Sequence, residues 1–93
     1  MKLTKKQAIA ECKEVWKLVA DGKAKDKDAA LKLLEESNPL LYEKIINYQD
    51  TCPLCECGGC DRCPYYEKYN LSCESYPNYN QNPLEFAQNI MKL

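Results

Sequence analysis

The sequence predicts an all-α fold, a small helical domain of about four helices with an irregular metal-bound cysteine loop. Three observations carry this. The chain has 93 residues, the length of one domain. Its two ends hold apolar residues at helical spacing, each run opened by a capping residue. Between them lies Cys52-Pro53-Leu54-Cys55-Glu56-Cys57-Gly58-Gly59-Cys60-Asp61-Arg62-Cys63-Pro64, with Cys73 beyond it, in a chain of seven cysteines and no histidine. The single domain, 1–93, divides into a helical part (1–51), a Cys-rich zinc loop (52–82) and a C-terminal helix (83–93).

The first helix is expected over 5–20. Thr4 is its cap and Gln7 completes a capping box, in which each residue's side chain bonds the other's backbone N–H. Ile9, Cys12, Trp16 and Val19 form its apolar stripe, widened by Val15. Gly22 stands where a left-handed residue ends a helix. Lys5, Lys6, Glu11, Lys13, Glu14 and Lys17 form a solvated face. A second helix, over 27–36, is capped by Asp26 and buries Ala30, Leu31, Leu33 and Leu34. Asn38-Pro39 opens a third, over 39–48, because proline at the first helical position gives up only a donor that has no partner there. Leu41, Ile45 and Tyr48 form its stripe, with Tyr42 and Ile46 beside it. Pro64 to Tyr69 predicts a short helical turn stopped at Asn70. Residues 70–82 read as irregular loop, and within the cysteine run Gly58-Gly59 leaves room for a tiny two-stranded knuckle. Asn82-Pro83 repeats the Asn-Pro start and predicts a last helix over 83–92 burying Leu84, Phe86, Ala87 and Ile90.

The cysteines carry the chemistry. Zinc takes four sulfur or nitrogen ligands in a tetrahedron, and a C-x-x-C pair turns two sulfurs toward one point. Cys52, Cys55, Cys60 and Cys63 are the leading ligand set, with Cys57 and Cys73 as alternates. Six cysteines from Cys52 to Cys73 would also suffice for two ions bridged by thiolates. Four sulfurs on one zinc leave no position for a reacting water, so the metal is expected to be structural and its removal to unfold the second half. Cys12, on the first helix's apolar stripe, reads as a small core residue rather than a ligand.

Cys52-Pro53-Leu54-Cys55 resembles the CPxC zinc knuckle of zinc-ribbon and rubredoxin-type proteins, and Cys60-Asp61-Arg62-Cys63-Pro64 is similar to a second one. The run over 52–73 also resembles small uncharacterised orphan proteins of bacteriophages. That resemblance implies a phage-encoded host-takeover or counter-defence inhibitor, a phage protein acting on a host protein in the cytoplasm of an infected cell. An iron–sulfur cluster is the rival cofactor: Cys52-x₄-Cys57-x₂-Cys60 matches a plant-type ferredoxin start, with Cys73 as a fourth ligand. Disulfides or uncoordinated thiols are the remaining readings.

The start of the chain shows no signal-peptide core and no apolar run is long enough to span a bilayer, so the expected location is cytoplasmic, where thiols stay reduced. No membrane partner is expected. The net charge is −1. Residues 52–93 hold three basic and five acidic side chains, and four thiolates on zinc would add about −2 more. That balance disfavours phosphate binding. Glu56, Asp61, Glu67 and Glu74 read as solvated loop charges. Without histidine, a cysteine nucleophile lacks its usual base, so no enzyme activity is expected.

Tyr65, Tyr66, Tyr69, Tyr76 and Tyr79 lie close together among Asn, Ser and Pro, the composition of adaptable recognition surfaces. The alternative is that several of them pack over the cysteine loop. The resulting expectation is a non-enzymatic, zinc-stabilised protein-interaction module that binds a protein partner through these tyrosines, with Tyr76 and Tyr79, between Pro and Asn residues, as the leading exposed contacts. Two other functions remain: a zinc knuckle stacking single-stranded nucleic acid on its aromatics, and an electron-transfer or redox-sensing iron–sulfur protein.

Overall fold

A computed structural model describes residues 3–48, 52–57, 63–70 and 78–93, the side chains of Cys55 and Cys57 excepted. Helix α1 (Lys5–Ala20) begins at the expected capping box: Gln7 N donates to Thr4 Oγ1 at 3.1 Å and Thr4 N donates to Gln7 Oε1 at 3.2 Å. It ends as the chain turns through Gly22 at φ +78°. The backbone N–H groups of Lys23 and Ala24 then fold back onto Leu18 O. This is the conformation that only glycine adopts without a steric penalty.

Helix α2 (Lys27–Ser37) is capped by Asp26, whose Oδ1 accepts from Ala29 N at 2.9 Å. Helix α3 (Pro39–Ile46) starts at Pro39 with Asn38 Oδ1 accepting from Leu41 N at 3.3 Å. It stops two residues before the expected end, and Tyr48 N is held by Ile45 O in a final turn. A 3-10 segment (Pro53–Cys57) follows, then α4 (Pro64–Tyr69) and α5 (Pro83–Met91). The first part of the expected irregular loop is therefore a regular 3-10 turn. Helix α4 ends at Asn70 in the left-handed region, φ 54°. Among the described residues there is no strand, and the knuckle expected at Gly58-Gly59 lies outside them.

The start of α5 differs from its expected chemistry. Asn82 makes no side-chain cap. Its Oδ1 accepts instead from Asn78 N at 3.1 Å, while Asn78 Oδ1 accepts from Asn80 N and Gln81 N. The preceding turn competes for the side chain that would cap the helix, as asparagine's affinity for turn backbones allows.

Helix α1 is the hub. Its main partner is α5, and it also packs on the 3-10 segment and on α2, which in turn packs on α3. Ala8, Cys12, Val15, Trp16 and Val19 are its buried face. Ile9, expected on this stripe, is only half-buried because the face is centred nearer Ala8 and Cys12. Trp16 meets Phe86 edge-on with ring centroids 4.8 Å apart, and Tyr65 stacks at a tilt on Phe86 at the same separation. Such aromatic pairs add about 0.5–1.5 kcal/mol beyond the area they bury.

Two leucines expected in the core lie outside it. Leu84 is 50% exposed and Leu33 is 37% exposed. Phe86, Ala87 and Ile90 define the buried side of α5. Leu84 stands two residues from Phe86, about 200° away around the helix. Leu33 is turned from the Ala30–Leu34 edge of α2 for a similar reason.

Candidate functional site

Two Cys-Pro steps deliver sulfur to the same side of α1. Cys52 directly precedes the 3-10 segment, in which Pro53 and Leu54 are buried, and Cys55 follows one turn later. Leu3 N donates to Glu56 O at 3.2 Å and ties the residues before α1 to that segment. Cys63 precedes Pro64 at the start of α4, and its sulfur does not cap the helix. Tyr65, two residues further on, anchors α4 through its 1% exposed ring. Cys52 and Cys63 are both partly buried against the core that contains Cys12.

Cys12 is the third thiol. It is 1% exposed on α1, and it shares a side-chain hydrogen bond with Cys52. That hydrogen bond, burial, and the nearby Cys52 and Cys63 sulfurs together raise the Cys12 thiol well above the usual cysteine range, while the Lys27 ammonium acts in the opposite direction. All three cysteines are thiols rather than disulfides. Sequence periodicity placed Cys12 correctly on a buried face but gave no sign that other sulfurs meet it there. The available signal was the residue type itself: a thiol on the stripe of a chain that has six more.

Of the expected ligands, the structure thus brings Cys52 and Cys63 to one neighbourhood. Cys60 and Cys73 lie outside the described residues, as do the side chains of Cys55 and Cys57. Among the described residues no group of three Cys, Asp or Glu side chains is already set around one point at coordination distance. The hydrogen-bonded Cys12–Cys52 pair with Cys63 nearby is what the described part of the cluster consists of.

The tyrosines divide by environment. Tyr65, expected at a partner surface, is instead a core residue between Phe86 and Tyr69, and its hydroxyl accepts from Asn89 Nδ2 at 3.3 Å. A loop region with few aliphatic side chains needs a large ring to fill its interior, and Tyr65 is that ring. Tyr69 is half-buried, with its hydroxyl donating to Asn89 O at 3.1 Å. Tyr66 is 42% exposed on α4. Tyr79 is half-buried beneath the Lys27 ammonium, 5.5 Å from its ring centroid. Tyr76 lies outside the described residues.

Next to Cys12 in sequence on α1, Glu11 binds α3 and the turn after it. Lys44 Nζ donates to Glu11 Oε2 at 3.0 Å and Tyr48 Oη donates to Oε1 at 2.7 Å. Burial and this hydrogen bond to a carboxylate push the Tyr48 phenol up to about 12. Among the described residues no helix is long and apolar enough to cross a membrane. No family model, curated protein or solved structure matches the chain.

Proposed function

We propose that this chain is a non-enzymatic protein-interaction module whose cysteine-rich segment is held in shape by zinc. The observation that carries the reading is that Cys52 and Cys63, from two separate Cys-Pro steps, both pack partly buried against the helical core that contains Cys12. A segment containing five cysteines in thirteen residues gains a defined path when a tetrahedral ion ties its sulfurs together. Cys55 and Cys60 complete the leading set of four, with Cys57 and Cys73 as alternates. The ion's role is to fix the surface that α4 and the turn at Tyr79 present. Tyr66, the most exposed of the described tyrosines near the cluster, is the leading contact residue, and Tyr76 and Tyr79 follow further along the chain. The resemblance to bacteriophage orphan proteins makes a host protein the partner in this reading.

Metal analysis of anaerobically purified chain tests the first half. Zinc bound in a fixed ratio and little iron is the expected result; iron with visible absorbance would replace this reading by electron transfer. The second half is tested by affinity capture with the zinc-loaded chain and with a Tyr66→Ala/Tyr79→Ala variant. A partner retained by the first and lost by the second is expected, and equal retention by both refutes the tyrosine surface.

A further inference from the structure

We propose that the groove between α2 and α3 is a self-association site, in which a second copy of this chain packs its own α2–α3 groove about a two-fold axis. The site shares no residue with the cysteine cluster and does not depend on the zinc reading.

Asp28, Leu31 and Lys32 of α2 and Tyr42 and Ile46 of α3 line a surface groove of about 330 Å³. Its apolar part follows from position on the two helices. Ala30 and Leu34 are the buried residues of α2, and Leu41 and Ile45 those of α3. Leu31 and Tyr42 are left half-buried in the lining, and Ile46 stands 44% exposed. One surface thus carries a hollow together with an apolar side chain able to fill it. A two-fold contact needs both, because the same patch must serve as each half of the interface.

The charges decide the occupant. Asp28 and Lys32 are exposed, opposite in sign and one turn apart on α2. Residues at this spacing can pair within one helix. These two pair neither with each other nor with any other group among the described residues. A groove with one cation and one anion has no net charge to attract a strongly acidic or basic partner, and it suits a copy of itself. When two α2 helices cross antiparallel about the axis, Asp28 of each copy faces Lys32 of the other. The next positions outward in that register are Glu35 and Lys25, again exposed and again opposite in charge. A parallel arrangement would set like charges against each other. Exposed ion pairs add little affinity and mainly fix register. Burial of Leu31, Tyr42 and Ile46 supplies the attraction. The patch is small, so the dimer is weak and reversible.

The test is sedimentation equilibrium of the whole chain under reducing conditions, so that no intermolecular disulfide imitates a dimer. The wild-type mass should rise from 10.7 kDa toward twice that value between about 10 µM and about 1 mM, the range of weak interfaces. Asp28→Lys and Lys32→Asp should each stay monomeric, because the facing pairs become like-charged. Mixed in equal amounts, the two variants should form a one-to-one heterodimer, since each then faces the opposite sign. That rescue also shows that both are folded. Ile46→Asp should be monomeric alone and in every mixture. A wild-type chain still monomeric at the upper concentration overturns the proposal. So do single charge variants that dimerise as well as wild type, or a mixture no more associated than its parts. Backbone amide shifts on dilution identify the face: changes should centre on residues 28–35 and 42–46, and a dimer whose shifts centre on α4 or α5 overturns the groove as its site.

Discussion

One turn apart on the same face of α1, Trp16 and Cys12 make contacts of opposite character. Trp16 meets Phe86 of α5 through two aromatic rings. Cys12 meets Cys52 through two sulfurs. The first contact is complete in itself: burial of apolar rings holds at any pH or redox state in which the chain folds. The second depends on what occupies the space between the sulfurs, whether a proton, an ion or, under oxidation, a covalent bond. One helix thus serves as the fixed wall for a permanent seam and for a conditional one. The difference teaches that the helical part can be rigid while the cysteine-rich part remains responsive to the chemistry around it.

The largest expected separation of the two seams comes from chelating the zinc of the proposed site. Structural zinc sites contribute binding free energy on the order of 10 kcal/mol. Chelation under reducing conditions should therefore raise amide hydrogen exchange first in residues 52–70, with α1 and α5 remaining slower. Equal acceleration on both sides would erase the distinction. Next in size is Trp16→Ala, which attacks the permanent seam and should cost about 3–5 kcal/mol in chemical denaturation followed by circular dichroism.

Smaller effects test the frame around them. Gly22→Ala forces a Cβ into a positive φ, although no atom lies within 4 Å of where it would sit. The cost should be about 1–2 kcal/mol and purely conformational. Thr4→Ala, which removes one half of the capping box, should cost about 1 kcal/mol.

The smallest effect is alkaline. Tyr48 has its pKa raised from 10.0 to about 12 in the fold. The protonated phenol is the form that donates to Glu11, so its contribution is fully present below pH 10 and is lost as pH rises through about 12. Tyr48→Phe should flatten that part of the stability–pH curve, read by thermal melts at increasing pH.

Helix positions were legible because their ends are marked by local chemistry. Thr4 with Gln7, Asp26, Asn38-Pro39, Gly22 and Asn70 each act on backbone within a few residues, so their meaning survives without knowledge of the fold. The neighbours of each face were not legible. Leu84 and Leu33 carry the right residue type at the wrong angle, and only the packing of α5 on α1 and of α2 on α1 and α3 decides which side is inward. Tyr65 looked like its tyrosine neighbours in composition, yet its register on α4 aims it at Phe86. Asn82 was claimed by the turn before it. For the site, the two C-x-x-C pairs pointed to Cys52, Cys55, Cys60 and Cys63, of which Cys52 and Cys63 have described side chains. Cys12 was hidden because its partner is forty residues away in sequence and a buried thiol is indistinguishable from a small apolar residue until its neighbour is known.

The position of Trp16 has one more use. It is the chain's one tryptophan, 4% exposed, touching Phe86 and a single helical turn from the thiol pair. Thiols quench indole emission at short range, so this residue is a built-in optical reporter. Its emission wavelength registers whether α5 is docked, and its brightness registers what has happened to the nearby sulfurs, with no label attached.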